Sequence, residues 1–223
     1  MSAATARVIE RESVSDKQAP EAELLTEQRF RKLLGEDAWH RLPAAVQRRF
    51  AHAVRPGEAI LYRGRVAETT LSPLGRLLSV VAQMIGSPLP ETPGAIGAAC
   101  VSVMDAESGL GQVWTRTYAR AGRFPQVVHS MKRFAGPTGL EEHVGHGVGM
   151  ALDLSEERGA LVFSSRFYFV SLGRWRWRVP SWLAPGAMRI VHRDLGDEFL
   201  FELTLTHPVF GQLIRQVAYF REV

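Results

Sequence analysis

The sequence predicts an α+β fold. Its main part is a long curved antiparallel β-meander, barrel-like or strongly bent, of about nine or ten strands. Helices precede it at the N-terminus, and one helix is inserted after the first strand. Two observations carry this expectation. From Ile96 onward, alternating segments follow one another with only short turn signals between them, such as AESG, RAGRFP, SEERG and HPVFG. Such links are too short for the crossover helices of a parallel sheet. A sheet of that length must also curl, split or close to hide its edges.

Residues 1–25 read as a charged, poorly ordered arm, and 26–223 as a single α+β domain. Thr26 is placed to cap a helix with Phe30, Leu33 and Leu34 on one face, which Gly35 stops. Pro43 suits the first turn of a second short helix whose apolar side carries Val46 and Phe50. In EAILYRGRVAET, Ile60, Tyr62 and Val66 alternate with Leu61, Arg63 and Arg65, the pattern of a strand. The clearest helix follows. Ser72 caps it, Pro73 opens it, and Leu74, Leu77, Leu78, Val81, Met84 and Ile85 recur at helical spacing before Gly86 and Pro88. Its opposite face is only faintly polar, so it is expected to cover an apolar cavity or lie buried.

Further strands are expected at Ile96–Asp105, Gly111–Ala121, Gln126–Phe134, Gly147–Ser155, Ala160–Val170, Leu172–Val179, Ala187–Leu195, Glu198–Thr206 and Gln212–Phe220. Along them, alternation sorts side chains to two faces. Trp175, Trp177 and Val179 oppose Arg174, Arg176 and Arg178; Leu161, Phe163, Phe167 and Phe169 oppose Ser164, Arg166 and Tyr168. Trp114, Arg116 and Tyr118 share one face. The expectation is an aromatic face turned inward and an arginine-bearing face turned to solvent. Pro180 and Pro185 frame Trp182 and Leu183 in a stiff loop, either a plug for one end of the sheet or an anchor for peripheral membrane contact.

Composition and motifs exclude several classes. A net charge of +4, from 27 basic and 23 acidic residues, makes no dense basic field. Aromatics and arginines on opposite faces do not form a base-stacking platform, so no nucleic-acid partner is expected. The single cysteine, Cys100, excludes a disulfide framework and a Cys-rich zinc module. No segment has the apolar length of a membrane helix or the core of a signal peptide, which suggests a cytoplasmic protein. There is no Walker loop, no G-x-S-x-G elbow and no G-x-G-x-x-G between strand and helix, so no cofactor is expected. The densest titratable cluster is LEEHVGHGVGM, with Glu141, Glu142, His143 and His146. Its glycines disfavour a helix, and in a strand the two histidines fall on opposite faces, so no metal site is expected.

Five landmarks, FRKLLGEDAWHRLPAAVQRRF, RVAETTLSPLGRLLSVVAQMIGSPLP, VWTRTYARAGRFPQVVHS, LGRWRWRVPSWLAPG and HPVFGQLIRQVAYFRE, are spread over about residues 28–222. In this order and spacing they resemble the bacterial family called domain of unknown function 4166. None is catalytic, and the resemblance supplies no site. Some relatives carry the domain behind an NAD(P)-binding dehydrogenase-like domain, which implies a separate oxidoreductase partner for this chain.

The residues favour a binding module for a lipid or other hydrophobic small molecule. Its expected lining is Leu78, Met84, Trp114, Phe163, Phe167, Trp175 and Trp177, with Arg176 or His143 for a polar head group. The rivals are an enzyme acting around Glu142, His143 and His146, and a subunit that docks a protein through its arginine face or the Trp182 loop.

Overall fold

The computed structural model describes residues 29–52, 54–84, 97–106 and 111–223. Its sheet has eleven strands: β1 (Ala59–Leu71), β2 (Gly97–Asp105), β3 (Gly111–Arg120), β4 (Arg123–Arg133), β5 (Glu141–Gly145), β6 (Val148–Glu157), β7 (Ala160–Leu172), β8 (Trp175–Arg178), β9 (Ala187–Asp194), β10 (Phe199–His207) and β11 (Gly211–Glu222). Because β1 pairs with β11 and β6 with β7, ten of them close into an antiparallel barrel, leaving β8 as an extra strand. Closure pairs the edges that an open sheet of this size would leave bare.

β5 was not expected as a strand; its flanking glycines obscure the alternation. The expected strand Leu172–Val179 contracts to the four residues of β8. Thr26, Ile85, Ile96 and the N-terminal arm lie outside the described residues, as does the side chain of Met84.

Short helices close one end of the barrel: α1 (29–34), α2 (Glu36–Arg41) and α3 (Ala44–Ala51). They drive Phe30, Trp39, Val46 and Phe50 into a core with Leu140, Leu152, Leu161 and Phe163. α4 (Pro73–Met84) sits at the opposite end, where β1 finishes. Ser72 caps it as expected, its Oγ accepting the Gly75 N–H at 3.0 Å.

β7 decides the shape of that second end. Leu152 pairs with Ser165 but Ala151 pairs with Phe167, so Arg166 is an extra residue in the ladder. Before the bulge, residues 160–164 pair with β9; beyond it, Phe169 to Leu172 pair with β8 instead. The wall therefore parts between β8 and β9. The loop 179–186 covers the gap, with Val179, Leu183 and Pro185 facing the barrel interior. The loop covers this end without filling it: Leu183 is 63% exposed and Trp182 beside it 79%.

Beneath α3, His192 is buried between Phe50 and Phe199, ring centroids at 5.1 and 4.5 Å. Burial, seconded by the Arg49 guanidinium and opposed by Asp194, holds its pKa down at about 3. A depressed folded pKa means stability that is complete above the unfolded value near 6.5 and lost as pH falls toward 3. From pH 7 to 5, before carboxylates titrate, this histidine should cost about 2 kcal/mol of stability. Urea unfolding at both pH values checks this, and His192→Gln should flatten the difference.

Candidate functional site

Two spaces stand out within the barrel among the described residues. The smaller, about 30 Å³, lies against α3 among Tyr62, Trp114, His192 and Phe220, with room for little more than water. The larger, about 350 Å³, lies toward α4 and falls within the size range of small-molecule sites. Leu78, Val81 and Ala82 of α4 and Leu183 and Pro185 of the loop form its outer wall. Its inner wall is chiefly aliphatic and aromatic, including Val144, Met150, Ile190, Phe201 and Leu203. Since Val81 and Leu183 are also exposed, at 47% and 63%, the cavity reaches solvent between α4 and the loop.

A small charged cluster interrupts this apolar lining. Alternation along β3 turns Arg116 inward with Trp114 and Tyr118, and β4 and β5 turn Ser130, Lys132 and Glu142 inward beside it. Ser130 Oγ donates to Glu142 Oε1 at 2.6 Å and accepts from Arg116 Nη1 at 3.1 Å. Lys132 Nζ lies 3.2 Å from Glu142 Oε2, and Arg116 Nη2 lies 3.7 Å from Oε1. All four residues are buried.

Burial alone would raise the Glu142 carboxyl. Lys132, Arg116 and the Ser130 hydroxyl together overcome it and hold the pKa at about 2. Burial pushes the Lys132 ammonium down, with Glu142 opposing. Tyr168, also on the cavity wall, is pushed up to about 12, mainly by burial, so its hydroxyl stays protonated. One carboxylate thus faces two cationic side chains, leaving the wall with an excess of positive charge and hydrogen-bond donors.

The expected site residues scatter. Leu78 lines the larger cavity and Trp114 the smaller, while Phe163 packs inside under Lys132 Nζ, 5.3 Å from its ring. Phe167 departs from expectation. The bulge at Arg166 reverses the alternation, so Tyr168 faces the lumen, while Phe167 lies outside beneath Arg178. Trp175 and Trp177 do not line the cavity either. They stand on β8 beyond the barrel, 58% and 52% exposed, stacked with centroids 6.4 Å apart. Arg176 is on the outer face, its guanidinium 3.5 Å from the Phe169 centroid and its Nη2 2.5 Å from Glu141 Oε1.

The histidine cluster is also divided. Glu142 enters the lumen, whereas His143 sits outside with its Nε2 3.2 Å from Glu141 Oε2, and so offers no head-group contact in the cavity. His146 occupies the β5–β6 turn at φ 43°. An odd offset on a strand separates the first two, and the turn takes the third. Among the described residues, no three His, Cys, Asp or Glu side chains gather as metal ligands would. The inward groups that the sequence reading missed are Arg116, Ser130, Lys132 and Tyr168. Only Arg116 had a signal, its place between Trp114 and Tyr118.

Fold and site together define a closed antiparallel β-barrel with an apolar cavity and a buried charged cluster in its wall. The chain belongs to the family described as Domain of unknown function (DUF4166), whose match covers residues 42–220. No curated protein and no solved structure matches it. No helix among the described residues is long and apolar enough to cross a membrane.

The cluster makes an asymmetric prediction. Glu142→Ala should cost about 3–5 kcal/mol, because it leaves Arg116 and Lys132 buried without their counter-charge. Lys132→Met should cost clearly less, since Glu142 keeps Arg116 and Ser130. Urea unfolding of the two variants measures the difference, and equal losses would contradict this account of the charges.

Proposed function

We propose that the barrel is a binding module for a lipid or lipid-like small molecule carrying one anionic head. The observation that carries the reading is the cavity of about 350 Å³, apolar except for Arg116, Tyr118, Ser130, Glu142, Tyr168 and Gln216 in its wall. An apolar tail removes its surface from water against Val144, Ile190 and Leu203. An anionic head offsets the positive charge that Glu142 leaves unbalanced, and it accepts hydrogen bonds from Arg116 and Tyr168.

The scatter of Glu142, His143 and His146 removes the constellation on which an enzymatic reading rested. A few convergent polar groups in an apolar pocket favour binding instead.

A fluorescent long-chain fatty acid should bind saturably and stoichiometrically. Val144→Trp, which fills the cavity without changing its charge, should weaken binding at least tenfold. Arg116→Gln should weaken the fatty acid about tenfold or more, yet leave the corresponding alcohol nearly unaffected. Absence of uptake by the unaltered protein would contradict the proposal, as would equal effects of Arg116→Gln on acid and alcohol.

A further inference from the structure

Of the large apolar side chains exposed among the described residues, all but Leu61, Met104, Leu195 and Val223 lie in the half of the barrel that carries the cavity opening. They come from six separate elements, β8 with Trp175 and Trp177 among them. Leu77 stands on α4, Phe124 beside the β3–β4 turn, Leu172 at the β7–β8 turn, Trp182 in the loop 179–186 and Phe210 in the β10–β11 turn. Phe124 is 92% exposed and Trp182 79%, values far from those of a satisfied core. Scattered surface exposure does not gather at one end.

Charge follows the same division. The described segments forming this end, 71–84, 118–128, 144–148, 168–188 and 205–213, contain six arginines and no Asp or Glu. Elsewhere most arginines are matched to carboxylates, as in Arg41–Glu156, Arg65–Glu198 and Arg215–Glu68. At the open end Arg76, Arg123, Arg174 and Arg178 have no carboxylate partner among the described residues, and Arg174 lies 5.2 Å over the Trp175 ring.

We propose that this end of the barrel docks on an anionic lipid bilayer, with the cavity opening against the membrane. Protruding Trp, Phe and Leu side chains enter the head-group boundary while the unpaired arginines meet lipid phosphates. A second copy of the chain is a poorer occupant, because two such ends face to face would oppose eight arginines that have no carboxylate partner among the described residues. The inference rests on the cavity as a lipid site, since the rim borders that opening. It adds where the ligand is exchanged.

Vesicle flotation tests it, using phosphatidylcholine alone against equimolar phosphatidylcholine and phosphatidylglycerol. The protein should float with the anionic vesicles at low salt and should be released as salt rises. Trp182→Ser combined with Phe124→Ser, and separately Arg174→Glu combined with Arg178→Glu, should each lower the bound fraction by about tenfold. Neither pair lines the cavity, so fatty-acid uptake in solution should be unchanged. Equal flotation with both vesicles would overturn the proposal, as would no flotation or insensitivity to both variant pairs. So would self-association in sedimentation velocity that Trp182→Ser abolishes. If the protein floats as expected but takes up no fatty acid, the cavity reading fails and the docking surface stands.

Discussion

The extra residue in β7 is the constraint on which the open end depends. With Arg166 inserted, β7 cannot keep β9 beside it for its whole length, and its distal half takes β8 as partner. Three consequences follow from that change of neighbour. The wall opens, the proline-framed loop is drawn into the gap, and β8 is pushed beyond the barrel with its tryptophans in solvent. The same residue turns Tyr168 into the lumen and Phe167 out of it. Bulges commonly end pairing and re-aim side chains next to functional sites, and this one does both.

The two ends of the barrel differ in what fills them. Aromatic residues from α1 to α3 complete a solid core at one end, T-shaped pairs such as Phe30–Phe50 included. No such plug reaches the other end, where α4 and the loop cover the lumen without filling it. The buried cluster lies between. Its charges are costly to take out of water, and their mutual attraction offsets that only while all members remain. Hydrophobic replacements of similar volume would suit a structural role as well or better. Two cations and one carboxylate held beside an apolar cavity are what supports the proposed ligand.

Much of the architecture was legible. Period-two alternation and short turns identified nearly every strand, and Ser72 with Pro73 marked the start of α4. Burial was less legible, because alternation says which side chains share a face and not which face is inside. In GRWRWR the alternation is real, yet tryptophan is exposed and Arg176 is tucked against Phe169 and Glu141. Nothing local distinguishes a strand in the barrel wall from one hung outside it. The bulge was equally hidden, since it arises from pairing with β6 rather than from residues 164–168 alone. The charged cluster unites β3, β4 and β5, and only the register brings Arg116, Ser130, Lys132 and Glu142 within reach.

The central claim is that the larger cavity holds an apolar ligand with one anionic head. Native mass spectrometry of the purified protein, with organic extraction and lipid analysis of what accompanies it, tests this most directly. The account predicts a stoichiometric added mass, from a species carrying a single acidic group, either co-purified or taken up from a mixed lipid extract. A mass equal to that of the chain alone, before and after incubation with such an extract, would contradict it.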